Sequence, residues 1–95
     1  MRDDRFEWDD RKAAANFKKH GVSFDEARGV FDDARFVERD DPDPDEVRTQ
    51  IIGRVGKYLL TVIYTERHQR DGSVRQRIIT AREATPYEEA DYRNG

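Results

Sequence analysis

The sequence predicts an α+β fold made of two N-terminal helices, a mostly antiparallel four-stranded sheet and a C-terminal helix. Three observations predict it. Two capping patterns, Ser23-Phe24-Asp25-Glu26 and Thr85-Pro86-Tyr87-Glu88, mark helix starts near the two ends of the chain. Between them lie apolar, β-branched runs bounded by Gly, Pro and Asp. The connections between these runs are too short for crossovers, so sequential strands pair as hairpins.

Phe6-Glu7-Trp8 is a short aromatic opening expected to pack on the core. Asp9 or Asp10 can cap a helix from about residue 10 to His20, with Ala13 and Phe17 at i,i+4 on its inner face. Gly21 follows as a natural C-terminal cap. The Ser23–Glu26 capping box then opens a second helix to about Phe31, presenting Phe24, Ala27 and Phe31 inward, with Val22 as a staple. Arg35 to Arg39 is a candidate strand, and Asp40-Asp41-Pro42-Asp43-Pro44-Asp45 an acidic, proline-broken loop.

Val47 to Val55 alternates as a strand, with Gly53 or Gly56 marking the turn after it. Tyr58 to Tyr64 is apolar on both faces and therefore central. His68 to Ser73, containing Asp71-Gly72, makes a hairpin connection, and Val74 to Ala81 returns as a strand. Thr85 caps the last helix, with Pro86 at its first position and Glu88 completing the box. Strand parity sends Glu46, Arg48 and Arg54 one way; Arg75 and Arg77 share a face and Arg82 takes the opposite one. Which face is core stays open, because Arg77/Ile79 and Ile78/Arg82 each mix apolar with charged residues.

At 95 residues the chain is expected to be one domain, residues 1–95, with a modest core. Charged residues make up 41% against 35% hydrophobic, yet the apolar residues cluster in runs, which argues against disorder. Absence of cysteine excludes disulfides, zinc-thiolate sites and thiol nucleophiles. No signal-peptide stretch follows Met1, and no run approaches the roughly 20 apolar residues of a membrane span. A soluble cytoplasmic protein without a membrane partner is expected.

The net charge of −3 hides a polarity. Residues 1–47 hold 9 Lys/Arg against 15 Asp/Glu, while residues 48–95 hold 9 against 6. Binding responds to local potential, so a basic sheet on an acidic protein outweighs the overall charge as a pointer. A solvated face with scattered arginines is the plain alternative.

Standard enzyme motifs are missing: there is no phosphate loop, no G-x-S-x-G and no H-E-x-x-H. His20 and His68 sit in different elements, so a metal cluster is not expected, and no cofactor is called for. What remains is arginine, lysine, tyrosine and a few acids. In-line attack of a ribose 2′-hydroxyl can run on such a set, since it needs a phosphate clamp, charge stabilisation and two proton transfers. Arginine suits the clamp because its planar fork binds phosphate oxygens in pairs. Tyr64 can stack a base or simply be core. His20, after Lys18-Lys19, can be a proton carrier or a helix-dipole partner.

Phe6-Glu7-Trp8-Asp9, Lys12, Asn16, Lys19-His20-Gly21-Val22, Phe24, Glu26-Ala27 and Val30-Phe31 resemble the N-terminal signature of the BrnT family. Glu46-x-Arg48, Ile52-Gly53, Leu60-x-Val62, Tyr64-Thr65 and Arg77-Ile78-Ile79-Thr80-Ala81-Arg82-x-Ala84-Thr85 continue the resemblance, which runs from about Phe6 to Tyr92. It implies a RelE-like fold and a toxin of a type II toxin–antitoxin system that cleaves RNA without a metal and arrests translation. It also implies a BrnA-type antitoxin with a ribbon-helix-helix domain, through which alone the protein would meet DNA. The acidic loop departs from many relatives, which carry a histidine shortly before the Glu-x-Arg pair; here Asp41 to Asp45 occupy that stretch. Thr80 replaces a more usual serine and keeps the hydroxyl.

On these grounds Arg48, Arg77 and Arg82 are expected to bind phosphate and stabilise charge, with Glu46, Lys19 or His20 as proton-transfer groups. Each has a structural alternative: Glu46 and Arg48 as an ion pair, Lys19-His20 as a helix terminus. Two other readings stay open: a degenerate toxin that acts only as a co-repressor through its antitoxin, and an RNA-binding sheet without catalysis.

Overall fold

Five strands organise the computed structural model, which describes residues 1–95: β1 (Phe6–Glu7), β2 (Val37–Asp41), β3 (Arg48–Val55), β4 (Tyr58–His68) and β5 (Val74–Glu83). They form one sheet in the order β1-β5-β4-β3-β2. The three hairpin-connected pairs are antiparallel, as predicted, but β1 adds a fifth, parallel strand beside β5. The predicted four-stranded sheet is therefore corrected to a five-stranded mixed one. Two residues carry no readable periodicity; their pairing, Phe6 with Gln76 and Glu7 with Arg77, is decided by contacts distant in sequence.

Helix α1 (Asp10–His20), the short α2 (Phe24–Ala27) and a 3-10 turn (Arg28–Asp32) pack on one face of the sheet. Asp9 caps α1 and Gly21, at φ 72°, ends it. The second helix stops at Ala27 rather than near Phe31, because the chain tightens into the 3-10 turn. That turn lies so close to β3 that a Cβ at Gly53 would stand 2.9 Å from Val30 Cγ1 and 3.0 Å from the Val30 carbonyl. Gly53 is thus a close-approach residue inside β3, and Gly56, at φ 59°, makes the turn. Phe6, Phe24, Val30, Ile51, Val62 and Ile78 form the centre of this core. Phe31 edges onto both Phe6 and Tyr64, with ring centroids 5.0 Å apart in each pair.

The inner face of α1 is also corrected. Phe17 is 54% exposed, and Asn16 turns inward in its place. The Asn16 amide donates to the carbonyls of Val22 at 3.1 Å and Ala81 at 2.8 Å, while its oxygen accepts from the Ala81 amide at 3.2 Å. The edge of β5 left open beyond β1 needs such a partner more than the core needs another ring.

Helix α3 (Pro86–Asn94) crosses the opposite face, opened by the predicted Thr85–Glu88 box. Ile52 and Thr61, which point to that side, are fully buried beneath it. β4 runs to His68, four residues beyond its apolar run, and β2 takes in Asp40 and Asp41 from the acidic loop. No helix is long and apolar enough to cross a membrane.

One irregularity decides the face assignments. Ile63 pairs with Thr80 but Tyr64 with Ile78, so Ile79 is an extra residue in β5, a β-bulge. The bulge resets the alternation: Ile78 and Ala81, three apart, both face the core. Arg77 and Arg82, assigned to opposite faces by simple parity, consequently share one face, opposite Thr65 and Thr61 of β4.

Candidate functional site

The face carrying α3 is only partly covered, and its uncovered end bears a charged row across all five strands. Asp41 on β2 pairs with Arg48 on β3, and one step past the Thr49–Tyr64 pair Arg48 meets Thr65 on β4. Thr65 pairs with Arg77 on β5, which pairs with Glu7 on β1. At about 4.8 Å between neighbouring strands, the Arg48 and Arg77 backbones stand roughly 10 Å apart, a gap two arginine side chains can close on one phosphate. Thr65 is 8% exposed and donates its hydroxyl to the Val47 carbonyl at 2.7 Å, which ties the loop before β3 to the centre of the row.

Each arginine already holds carboxylates. Arg48 donates from Nε and Nη2 to Glu46 Oε2 at 3.3 and 3.0 Å, and its Nη1 lies 3.3 Å from Asp43. The Glu46 hydrogen bond, followed by the charges of Asp43, Glu46 and Asp41, raises the guanidinium above its ordinary value against the smaller effect of burial. Asp43 is held low, first by the Asp45 amide, then by the Glu46 amide and Arg48. Arg77 donates from Nη1 to Glu7 Oε2 at 2.8 Å. Both arginine side chains keep between a quarter and a third of their surface accessible, Arg48 at 28% and Arg77 at 29%.

Arg82 is placed differently. Its Nη1 and Nη2 donate to the two oxygens of Glu88 at 2.6 and 2.8 Å. Glu88, 3% exposed, also accepts from the Thr85 amide at 2.8 Å and the Thr61 hydroxyl at 2.9 Å. Burial alone would push its carboxyl up; Arg82, the Thr85 amide and Thr61 outweigh burial and hold it at about 2. Arg39 reaches the same helix through Glu88 and Asp91. Arg82 therefore fastens α3 to the sheet, both of its terminal nitrogens taken up by Glu88, although its side chain is 27% exposed.

Lys19 and His20 lie in the last turn of α1, with Lys12 and Asn16 in a shallow cleft beside Ile79 and Thr80. The fold thus brings Glu46, Arg48 and Arg77 onto one row, sets Lys19 and His20 along the open edge of β5, and puts Arg82 under α3. Tyr64 faces the core, its hydroxyl donating to Glu38 at 3.1 Å; burial first, then Glu38, pushes it up to about 12. No three His, Asp or Glu side chains are grouped as a metal site would need.

Sequence reading misses Glu7, Thr65 and Glu88 as parts of this surface. The pairing of Glu7 with Arg77 spans 70 residues, so nothing local announces it. Glu88 is visible as a helix cap but not as the counterion of Arg82. The one available signal is the Ile78–Ala81 spacing, which suits a bulged strand better than a regular one.

A family model described as "Ribonuclease toxin, BrnT, of type II toxin-antitoxin system" matches residues 8–88, most of the chain. No curated protein matches it.

Proposed function

The chain belongs to the BrnT family of ribonuclease toxins of type II toxin–antitoxin systems, and we propose that it is a metal-independent endoribonuclease acting in the cytoplasm as one RelE-like toxin domain over residues 1–95. Cleavage of RNA by in-line attack of the 2′-hydroxyl halts translation. Membership of a type II system brings an antitoxin partner; the proposed one is of BrnA type, with DNA contacted only through its ribbon-helix-helix domain.

The observation that carries this reading is the Arg48–Thr65–Arg77 row. Two partly exposed arginine side chains flank a flat, uncharged centre on three adjacent strands, and oriented donors of this kind stabilise charge that grows on a phosphorane-like transition state. Arg48 and Arg77 take the phosphate-binding role. Arg82 contributes by holding α3 in place. Glu46, beside Arg48, is the proton-transfer candidate on the row itself; Lys19 and His20, at the end of α1 beside the β5 bulge, are the candidates at the sheet edge.

The acidic loop supports a second reading. Asp43 and Glu46 together neutralise Arg48, as a chain that keeps the toxin shape but acts only through its antitoxin as a co-repressor would tolerate. One gel separates the two. Antitoxin-free protein is incubated with total RNA, with and without EDTA. Cleavage that persists in EDTA is the expected outcome; intact RNA from folded protein, with growth unaffected on overexpression, favours the co-repressor.

A further inference from the structure

Glu7 enters none of the roles above, yet it is the only carboxylate bonded to Arg77. We infer that Glu7 is the general base of the cleavage reaction, taking the proton of the attacking 2′-hydroxyl while Arg77 holds the phosphate. The inference rests on the ribonuclease reading and names a group for one of its two proton transfers.

Three observations lead to Glu7. First, β1 and β5 are in parallel register with Glu7 opposite Arg77, so both side chains rise from the same face, while Phe6 is sunk in the core at 1% exposure. Second, only Oε2 of Glu7 is engaged, by Arg77 Nη1 at 2.8 Å; Oε1 accepts no hydrogen bond and remains available. The side chain is 17% exposed, enough to meet a ligand on the row and sheltered enough to stay oriented. Third, the Arg48 end is arranged less favourably for a base. There Glu46 and Asp43 share the Arg48 guanidinium, so a phosphate must compete with two carboxylates, whereas at Arg77 it meets Glu7 alone. A base must sit within about 3 Å of the proton that it removes and beside the group fixing the phosphate. Glu7 meets both conditions once a phosphodiester occupies Arg77.

The step balances. O2′ attacks phosphorus as the P–O5′ bond breaks, Glu7 takes the 2′-hydroxyl proton, and the departing 5′-oxygen gains a proton from the second proton-transfer group, one of Glu46, Lys19 and His20, which water re-protonates. The products are a 2′,3′-cyclic phosphate and a 5′-hydroxyl. Nothing is oxidised or reduced, and Glu7 returns its proton to water.

The alternative is that Glu7 only orients Arg77, and the test separates the two. A short RNA is used for cleavage and its 2′-O-methyl counterpart, which lacks the attacking hydroxyl, for binding. Glu7→Gln keeps an acceptor for Arg77 but has no basic oxygen. It is expected to bind the 2′-O-methyl RNA within about twofold of the unaltered protein and to lose cleavage by about 10²- to 10⁴-fold. Glu7→Asp, a shortened carboxylate, should recover part of kcat with KM unchanged. Arg77→Ala should weaken binding itself. Cleavage by Glu7→Gln within about threefold of the unaltered protein, or binding lost in step with cleavage, overturns the role of Glu7 and leaves the arginine row standing. An Arg77→Ala protein that binds and cleaves normally, or no cleavage by the unaltered protein, overturns the ribonuclease reading of this face and Glu7 with it. Circular dichroism checks folding, and if Glu7→Gln does not fold, the kcat and KM of Glu7→Asp decide: a fall confined to kcat supports the base, unchanged kcat overturns it.

Discussion

Asn16 satisfies both backbone groups of Ala81, donating to its carbonyl at 2.8 Å and accepting from its amide at 3.2 Å. A side chain on α1 thus completes the β5 edge where β1 has ended. Truncation to alanine leaves a buried amide and two buried carbonyls without their partner. Asn16→Ala is therefore expected to cost about 2 to 4 kcal/mol, with each kcal/mol lowering Tm by roughly 4 to 8 °C in a domain of this size. Thermal unfolding followed by circular dichroism reads the change, and a Tm within about 2 °C of the unaltered protein would sink the prediction.

Arg48→Ala and Arg77→Ala should each weaken RNA binding and make it less salt-dependent, the slope of log K against log salt falling by about 0.7 to 1 per arginine. Cleavage should drop further than binding, by about 10²- to 10³-fold, because the charge to be stabilised grows towards the transition state. Fluorescence anisotropy over a salt series, paired with cleavage assays, tests both parts. Equal salt slopes for variant and unaltered protein would remove the residue from the interface.

Glu88 gives the fold an acid-labile fastening. Its carboxyl is held at about 2 against an ordinary 4.5, so the folded chain binds the proton less readily than the unfolded one. Its contribution is complete above about pH 4.5 and fades as pH falls towards 2, on the order of 3 kcal/mol in all. Glu88→Gln should flatten stability across that acidic window and also lower it at neutral pH, because Arg82 loses its counterion. Urea midpoints at several pH values between 2 and 7 measure the slope; identical slopes for both proteins would count against this account.

Gly53→Ala should destabilise without altering RNA chemistry directly. The new methyl would meet Val30 Cγ1 at 2.9 Å and the Val30 carbonyl at 3.0 Å, and backbone cannot yield as a flexible side-chain tip can. A cost of about 1 to 3 kcal/mol is expected. A gain in stability on denaturant unfolding would show that the turn relaxes freely.

Local chemistry was legible and distant pairing was not. The capping boxes at Ser23 and Thr85, the glycine ending α1 and the central apolar strand all form as their residues dictate. These signals act within four residues, so a linear reading captures them. The two-residue β1, the inward turn of Asn16 and the burial of Glu88 depend on partners 70, 65 and 27 residues away, in that order. Phe17 shows the same limit from the other side: helical spacing made it core, but the open edge of β5 claimed that face for an amide. Of the candidate site residues, Glu46, Arg48 and Arg77 came together on the row, whereas Arg82 was drawn under α3 by a glutamate whose capping role had hidden its second partner.

The extra residue at Ile79 gives β5 a property that composition does not record. On either side of it, odd and even positions exchange meaning, so the strand has a phase as well as a sequence. Substitutions at Ile79 or Thr80 leave that phase intact. One residue more between Arg77 and Arg82 does not: with the bulge kept, the two arginines fall on opposite faces and one must turn towards the packed interior. Segment length is thus what keeps the α3 anchor and the arginine proposed to bind phosphate on a common surface, and a single-codon insertion there would do more damage than most replacements.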